Sequence, residues 1–509
     1  MFRAVRRVGV GGVSWRPRLC ERSRVNIGLA MLAVGAVLAA SVVVALGAAK
    51  SGLPALVAFL GLGMLLGSDG PGGIAFDDAQ LAREVGVVSL AAILYEGGLS
   101  TSWRRLREVV TPAILLSTIG VVVTAGVTGV AAYGLFDLSW TESFLLGAVV
   151  ASTDAAAVFA TLRNTGLRRR LARTLEAESG ANDPVAIALT LGLIAWVEHR
   201  DYGLGDLLVL LVRQLGLGLA IGVALSFAAT WAFARIPQSI GPFVPVASVA
   251  TAALAYGAAD AAHGSGFLAV YLVGLAVGST PSRYRGQLVA FHVGVAYVAQ
   301  VGLFIVLGML VFPSRLPHVA LAGVGLAAVL VLVARPVAVW ASTAALGRFD
   351  ARERAFLGWA GLRGAVPIVL GTFVLSSHLH GADTIFNAVF FVVLVSAVLH
   401  GTTLEWVARR LGLLVTFARA EPPLQVSRGW GTLELEEFRV APDHAIAGSA
   451  VRELGLPREA LVAVLVRGED AIPPRGSTIV EPGDLLFVLV PHGKRPELED
   501  VLGRWRQRV

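Results

Sequence analysis

The stretch LEAESGANDPVAIAL, residues 175–189, decides how this chain must be read. Its second half is apolar enough for hydrocarbon, yet its first half carries Glu178, Ser179, Asn182 and Asp183. On a helix, the spacing i, i+1, i+4, i+5 stacks Glu178 with Asn182 on one face and Ser179 with Asp183 beside them. A carboxylate left unpaired in lipid costs several kcal/mol, so such groups face a partner or a water-filled path.

The same pattern recurs outward along the chain. In ASTDAAAVF (151–159) Asp154 follows Ser152 and Thr153 within an otherwise apolar run, and in LYEGGLS (94–100) Glu96 lies near the end of a span. Counter-charges are embedded too: Arg335 in VLVARPVAVW (331–340) and Arg363 in GLRGAVPIVL (361–370). Clusters of carboxylate, hydroxyl and carbonyl oxygen suit a hard monovalent cation and lack the thiolate and imidazole set of a zinc site. Burial favours the neutral form of a carboxyl, so one group can hold a cation or a proton in turn, and that exclusivity is the physical basis of exchange. The bland alternatives are an interhelical polar contact for Asp154 and Asp183, and a snorkelling interfacial residue for Glu96.

Composition agrees with a membrane setting. Of 509 residues, 56% are hydrophobic and only 15% charged, and the mean hydropathy of +0.73 is that of an integral membrane protein. Fifty-eight glycines and few aromatics favour closely packed helices over a barrel of short alternating strands. The lone Cys20 excludes an intramolecular disulfide. A net charge of +7 would suggest nucleic acid if it formed one face, but the basic residues sit in short loops between apolar runs.

About 20 apolar residues cross a bilayer, which predicts roughly thirteen spans, starting near Asn26, Leu53, Glu84, Val110, Ser143, Ser179, Gly205, Pro242, Ser265, Leu288, Pro317, Arg354 and Thr384. Alternate loops hold 15 basic residues on one side, including Arg104, Arg169 and Arg352, against Arg83, Arg200 and Arg315 on the other. The positive-inside rule then places the end of the last span in the cytoplasm. Thirteen spans put the start of the chain outside, in conflict with the seven arginines of residues 1–24; this extension is therefore expected not to be native. Pro184, Gly361, Gly364 and Pro367 are expected to weaken helical continuity and free carbonyls for a midplane ion site. With the seventh span as a linker, spans one to six and eight to thirteen would form an inverted repeat pairing the fifth span with the twelfth.

After Arg410 the composition changes. Glu421-Pro422-Pro423 marks a linker, assigned to 413–425, and 426–509 reads as a small α+β domain. Strands are expected at Thr432–Val440, Leu461–Val466 and Leu485–Val490, with a short helix around Ser449–Leu454. No GxGxxG loop supports a dinucleotide site.

The motifs STDAAAVF (152–159), LEAESGANDPVAIAL, GSGFLAVYLVGL (264–275), VAQVGLFIVLGMLV (298–311) and GWAGLRGAVPIVL (358–370) occur in order between 25 and 412. Together they resemble the NhaP-type sodium/proton and potassium/proton antiporters of the monovalent cation:proton antiporter superfamily. The resemblance implies an all-α polytopic inverted-repeat fold in which Asp183 binds the ion and the proton. Asp154, Ser179 and the Thr153 carbonyl would line the site for a monovalent cation. Glu178 would pair with Arg363, in a transport role or a purely structural one. Asn182 stands where electrogenic relatives have a second aspartate, which implies electroneutral exchange; Glu96 matches an acidic position on the cytoplasmic ion route, and Arg335 an embedded arginine.

The segment 451–490 is similar to the TrkA-C regulatory domain, also called the RCK C-terminal domain. That combination points toward the potassium/proton branch, a homodimer in the bacterial inner membrane, and a nucleotide as the ligand expected of the tail. The cargo is K+ or Na+ and H+; neither a resident cofactor, nor an enzymatic activity, nor a nucleic-acid partner is expected. Two rival functions are weighed. A ligand-gated cation channel of the RCK type would need a filter, and no TVGYG-like sequence is present. An intramembrane aspartyl hydrolase would need Asp154 and Asp183 to share a proton.

Overall fold

The computed structural model describes residues 27–51, 54–162, 166–199, 201–280, 282, 284–377, 379–415, 433–468, 470–491 and 494–505. Residues 1–24 and 416–425 lie outside that set, as do Arg200, Arg283 and Thr432.

Helix dominates up to residue 410. The chain forms α1 (Ile27–Ser51), α2 (Ala55–Leu66), α3 (Ala79–Ser100), α4 (Trp103–Leu106), α5 (Val110–Leu115) and α6 (Val121–Leu135), the last two joined by a π-helical turn at Leu116–Gly120. It continues through α7 (Trp140–Val149), α8 (Ala155–Thr161), α9 (Arg169–Glu198), α10 (Leu204–Ala234), α11 (Val244–Ala261), α12 (Gly266–Ser279) and α13 (Arg285–Met309). Then come α14 (Leu316–Val329) and α15 (Arg335–Thr343), joined by a second π-helical stretch at Leu330–Ala334, followed by α16 (Ala351–Trp359), α17 (Ala365–Ser376) and α18 (Ala382–Arg410). Among the described residues, eight helices are long and apolar enough to cross a membrane, and α2, α12 and α17 are apolar but shorter. Their faces explain why so many large apolar side chains are exposed: Val209, Val212 and Phe227 on α10 meet lipid, the solvent that apolar groups prefer.

Small residues let the helices approach. A methyl group on Gly98 of α3 would fall 2.5 Å from the Tyr271 carbonyl of α12, and one on Gly308 of α13 would fall 2.4 Å from the Leu60 carbonyl of α2. Backbones in near contact gain dispersion that lipid tails cannot supply, which is what holds helices together where no hydrophobic effect acts between them.

Two spans are interrupted. The predicted fifth is split between α7 and α8 by the extended segment Ser152–Asp154, and the predicted twelfth between α16 and α17 by Gly361–Gly364. Pro367 lies in the first turn of α17, where its missing N–H costs nothing. The expectation at Pro184 fails, because α9 runs unbroken through it from Arg169 to Glu198. One missing bond is tolerated there because the first turns of α9 and its apolar second half are both held by neighbours. A two-residue ladder, β1 (Gly166–Leu167) with β2 (Leu414–Val415), ties the chain just after α18 to the loop before α9.

The tail forms a four-stranded antiparallel sheet in the order β3 (Leu433–Arg439), β6 (Leu485–Pro491), β4 (Leu461–Arg467), β5 (Asp470–Ile472). Strand β6 alternates strictly between buried and half-buried positions, the period-2 pattern of a strand covered on one face. A bulge between Val462 and Val464 bends β4. The cover is α19 (Arg495–Trp505), whose Leu498, Val501 and Trp505 pack with Phe438, Leu486 and Val488. Around residue 450 only one 3₁₀ turn forms, Val451–Glu453, rather than a short α-helix.

Candidate functional site

Asp183 is buried on α9, and the Ser152 hydroxyl donates a hydrogen bond to its Oδ1. One helical position back, the Asn182 amide donates to Thr153 Oγ1 at 2.6 Å. On the neighbouring face, Ser179 Oγ accepts from the Ala155 N–H at 3.2 Å. Three α9 positions on successive turns, Ser179, Asn182 and Asp183, therefore contact the segment between α7 and α8, as the i, i+3, i+4 spacing of one helix face allows.

Asp154 serves the break itself. It is the N-cap of α8, its Oδ1 accepting from the Ala157 N–H at 3.1 Å, and its own N–H donates to the Leu362 carbonyl in the other break at 2.8 Å. A side-chain oxygen at this position satisfies donors that helix geometry leaves unpaired. The two breaks thus cross in direct contact. Gly364 makes the approach possible: a methyl group there would come within 2.0 Å of Asp154 Oδ2.

Arg363 completes the crossing. From the second break its Nη1 donates to the Ala151 and Ser152 carbonyls, the latter at 2.6 Å, so a cation sits on the carbonyls that directly follow α7. Its backbone N–H donates to Ser396 Oγ at 3.2 Å, and Ser396 in turn lies 3.0 Å from His400 Nδ1.

The expected Glu178–Arg363 pair is not what forms. Glu178 Oε1 stands 2.6 Å from Arg335 Nη1, both side chains almost fully buried, while Arg363 is committed to the α7 carbonyls. The reason is local: Arg335 opens α15 directly after the π-helical stretch and lies against the second break, where a methyl group on Gly361 would touch its Nε at 2.7 Å. Ser117, within the other π-helical turn, donates to the Glu178 carbonyl at 3.1 Å. Both π-helical distortions therefore bear on Glu178, consistent with the tendency of such turns to occur where side chains are re-aimed.

Glu96 is not brought to this cluster. It is half-buried on α3, where the Ser100 hydroxyl donates to its Oε1 at 2.6 Å. Ser152, Ser117 and Ser396 are the site's neighbours that spacing arguments passed over. Ser152 had a signal, since Ser-Thr-Asp ahead of an alanine run is a helix-start pattern. Ser117 and Ser396 had none, being single hydroxyls in apolar helices.

Comparison with known proteins follows this geometry. The profile of the family described as sodium/hydrogen exchanger, transmembrane, matches residues 36–410, and the TrkA-C domain matches 435–503. The chain is 39% identical over 475 residues to a K(+)/H(+) antiporter NhaP2 of Shewanella sp. (strain MR-4), covering 92% of this chain and 81% of that one. It is 34% identical over 481 residues to the K(+)/H(+) antiporter NhaP of Alkalimonas amylolytica, covering 94% and 83% respectively. Among solved structures, the sodium proton antiporter MjNhaP1 from Methanocaldococcus jannaschii superposes with a TM-score of 0.68 at 22% identity, over 76% of this chain and 99% of that one, which establishes a shared fold. The chain is therefore a member of the transmembrane sodium/hydrogen exchanger family, transporters rather than enzymes, with a TrkA-C domain following its membrane domain.

Proposed function

We propose that this protein exchanges cytoplasmic K+ for external protons, one for one, at Asp183. The observation that carries the reading is a buried carboxyl group, held by a single hydroxyl, beside two interrupted helices that meet. A carboxylate in that position supplies one negative charge, which one K+ or one proton can neutralise, and simultaneous occupancy would leave a buried excess charge. In this reading Ser152, Asp154, Ser179 and the Thr153 carbonyl would complete an oxygen shell once the Ser152 hydrogen bond to Asp183 opens. Asn182 adds an amide where a second carboxylate would add charge, which supports electroneutral exchange. Potassium as the cargo follows from the names of the relatives; sodium is the alternative. Glu178–Arg335 and Arg363 act as the scaffold that holds the crossing.

The same reading takes residues 25–412 as the exchanger, 413–425 as a linker and 426–509 as a regulatory domain. Basic residues clustered in alternate loops support a cytoplasmic tail and an inner-membrane location. A homodimer with a nucleotide-type ligand on the tail is the arrangement the TrkA-C resemblance favours.

Inverted membrane vesicles test the proposal. Potassium added to acid-loaded vesicles should collapse the proton gradient more effectively than sodium or lithium, and Asp183→Asn should abolish the response. Exchange that survives Asp183→Asn would sink the assignment. A cation current persisting in that variant would favour a channel instead.

A further inference from the structure

About 18 Å along α17 from the broken-helix crossing, given its 12 residues and a rise of ~1.5 Å each, a cavity of about 530 Å³ opens at the helix's far end. It lies among the first turns of α3 and α18 and the last turns of α13 and α17. Asp77, Asp78 and Asp383 line it, with Arg315 standing 3.5 Å from Asp383. Asp78 caps α3, accepting from the Leu81 N–H at 2.9 Å, whereas the Asp77 side chain has no partner among the described residues. Arg83 donates to the lining Ser376 at 3.4 Å, so three carboxylates against two guanidinium groups leave one negative charge. The N-termini of α3, α14 and α18 and the C-termini of α13 and α17 meet at the rim, so their partial charges largely offset and the formal charges set the sign of the field.

Acidic residues alone would not define a site; Asn387 adds the second observation. It lines the same cavity, is only 8% exposed, and its amide has no hydrogen-bond partner among the described residues. With no protein partner, an amide that lines the cavity is left to water or to an ion held there. Its oxygen is a ligand of the kind hard cations take. Among the described residues no three acidic or imidazole groups converge closely enough to chelate a metal. At ~30 Å³ per water, the cavity has room for an ion with its hydration shell.

We propose that this cavity is a vestibule that gathers hydrated monovalent cations at the membrane face opposite the arginine-rich loops, with the Asn387 amide oxygen as its innermost ligand. The inference rests on the exchange reading above and adds a second, external cation site to it. Charge-lined clefts raise the local concentration of counter-ions, and the effect weakens as salt screens it.

The test uses full-length protein in proteoliposomes of known sidedness, with the apparent affinity for potassium measured from each face. In the double variant Asp77→Asn/Asp383→Asn, potassium affinity from the vestibule face should fall about three- to tenfold at low ionic strength, and the deficit should shrink in ~0.5 M choline chloride. Asp77→Glu/Asp383→Glu should restore it, which a folding defect would not allow. Asn387→Leu should weaken potassium affinity from the same face with little salt dependence. Equal losses from both faces, or no loss from either, would overturn the vestibule. Wild-type protein with no cation-driven proton flux would overturn the exchange reading instead.

Discussion

At Asp183 the single donor from Ser152 and the absence of a salt bridge, among the described residues, set this carboxyl apart from Glu178, five residues earlier on the same helix. Glu178 has a countercharge in Arg335, whereas Asp183 has no ion-pair partner among the described residues. That difference makes a prediction about stability rather than transport. Removing one partner of a buried ion pair strands the other, at a cost of about 3–5 kcal/mol, while replacing both with apolar groups is far milder. Glu178→Ala should therefore lower the melting temperature in detergent sharply, and Glu178→Ala/Arg335→Leu should recover most of the loss. If the double variant is no more stable than the single one, the pair is not what holds these helices.

Among the elements, the two interrupted spans do the work that a continuous helix cannot. The first break finds a charged group on either side, Asp154 at the N-terminus of α8 and Arg363 on the carbonyls that follow α7, and the second break supplies that arginine. Closeness at the crossing depends on Gly364. Adding a methyl group where only 2.0 Å separates it from Asp154 Oδ2 should cost about 1–3 kcal/mol of strain and slow exchange about tenfold or more. Gly294→Ala on α13, where nothing lies within 4 Å, is the matched control and should leave transport intact. In the tail, the comparable element is the Arg467–Asp484 pair, at 2.8 Å, joining β4 to the turn before β6. Burial raises the Asp484 pKa, but the Arg467 guanidinium and the Glu481 N–H outweigh it and hold the carboxyl below its ordinary value. A depressed carboxylate contributes stability that is present above its unfolded pKa of about 4 and lost as pH falls through the folded value. Asp484→Asn should thus reduce hydrogen-exchange protection of the β4 and β6 amides about tenfold at pH 7 in the full-length protein. The difference should vanish at strongly acidic pH; protection unchanged at pH 7 would show that the pair is idle.

For the whole molecule, the β1–β2 ladder anchors the chain to the membrane domain as far as Val415, beside the start of α9. Truncation after Val415 should leave potassium-driven proton flux in place and alter its pH profile, measured in the same vesicles; loss of all flux would mean the tail is needed for folding rather than control. The amino-acid sequence was sufficient to identify a helical membrane protein, a sheet-containing tail, and Asp183, Asp154, Ser179 and Asn182 as polar groups set in apolar helices that need partners. Desolvation is unforgiving in lipid, so a buried acid announces itself in one dimension. β5 and α19 escaped that reading because a three-residue edge strand and a charged amphipathic helix carry weak periodic signals. The pairing of Glu178 with Arg335, the unbroken course of α9 through Pro184, and the meeting of the two breaks were decided by tertiary structure alone. Spacing along a chain shows which groups need partners; which of two buried arginines reaches a given carboxylate depends on how helices distant in sequence lie against one another.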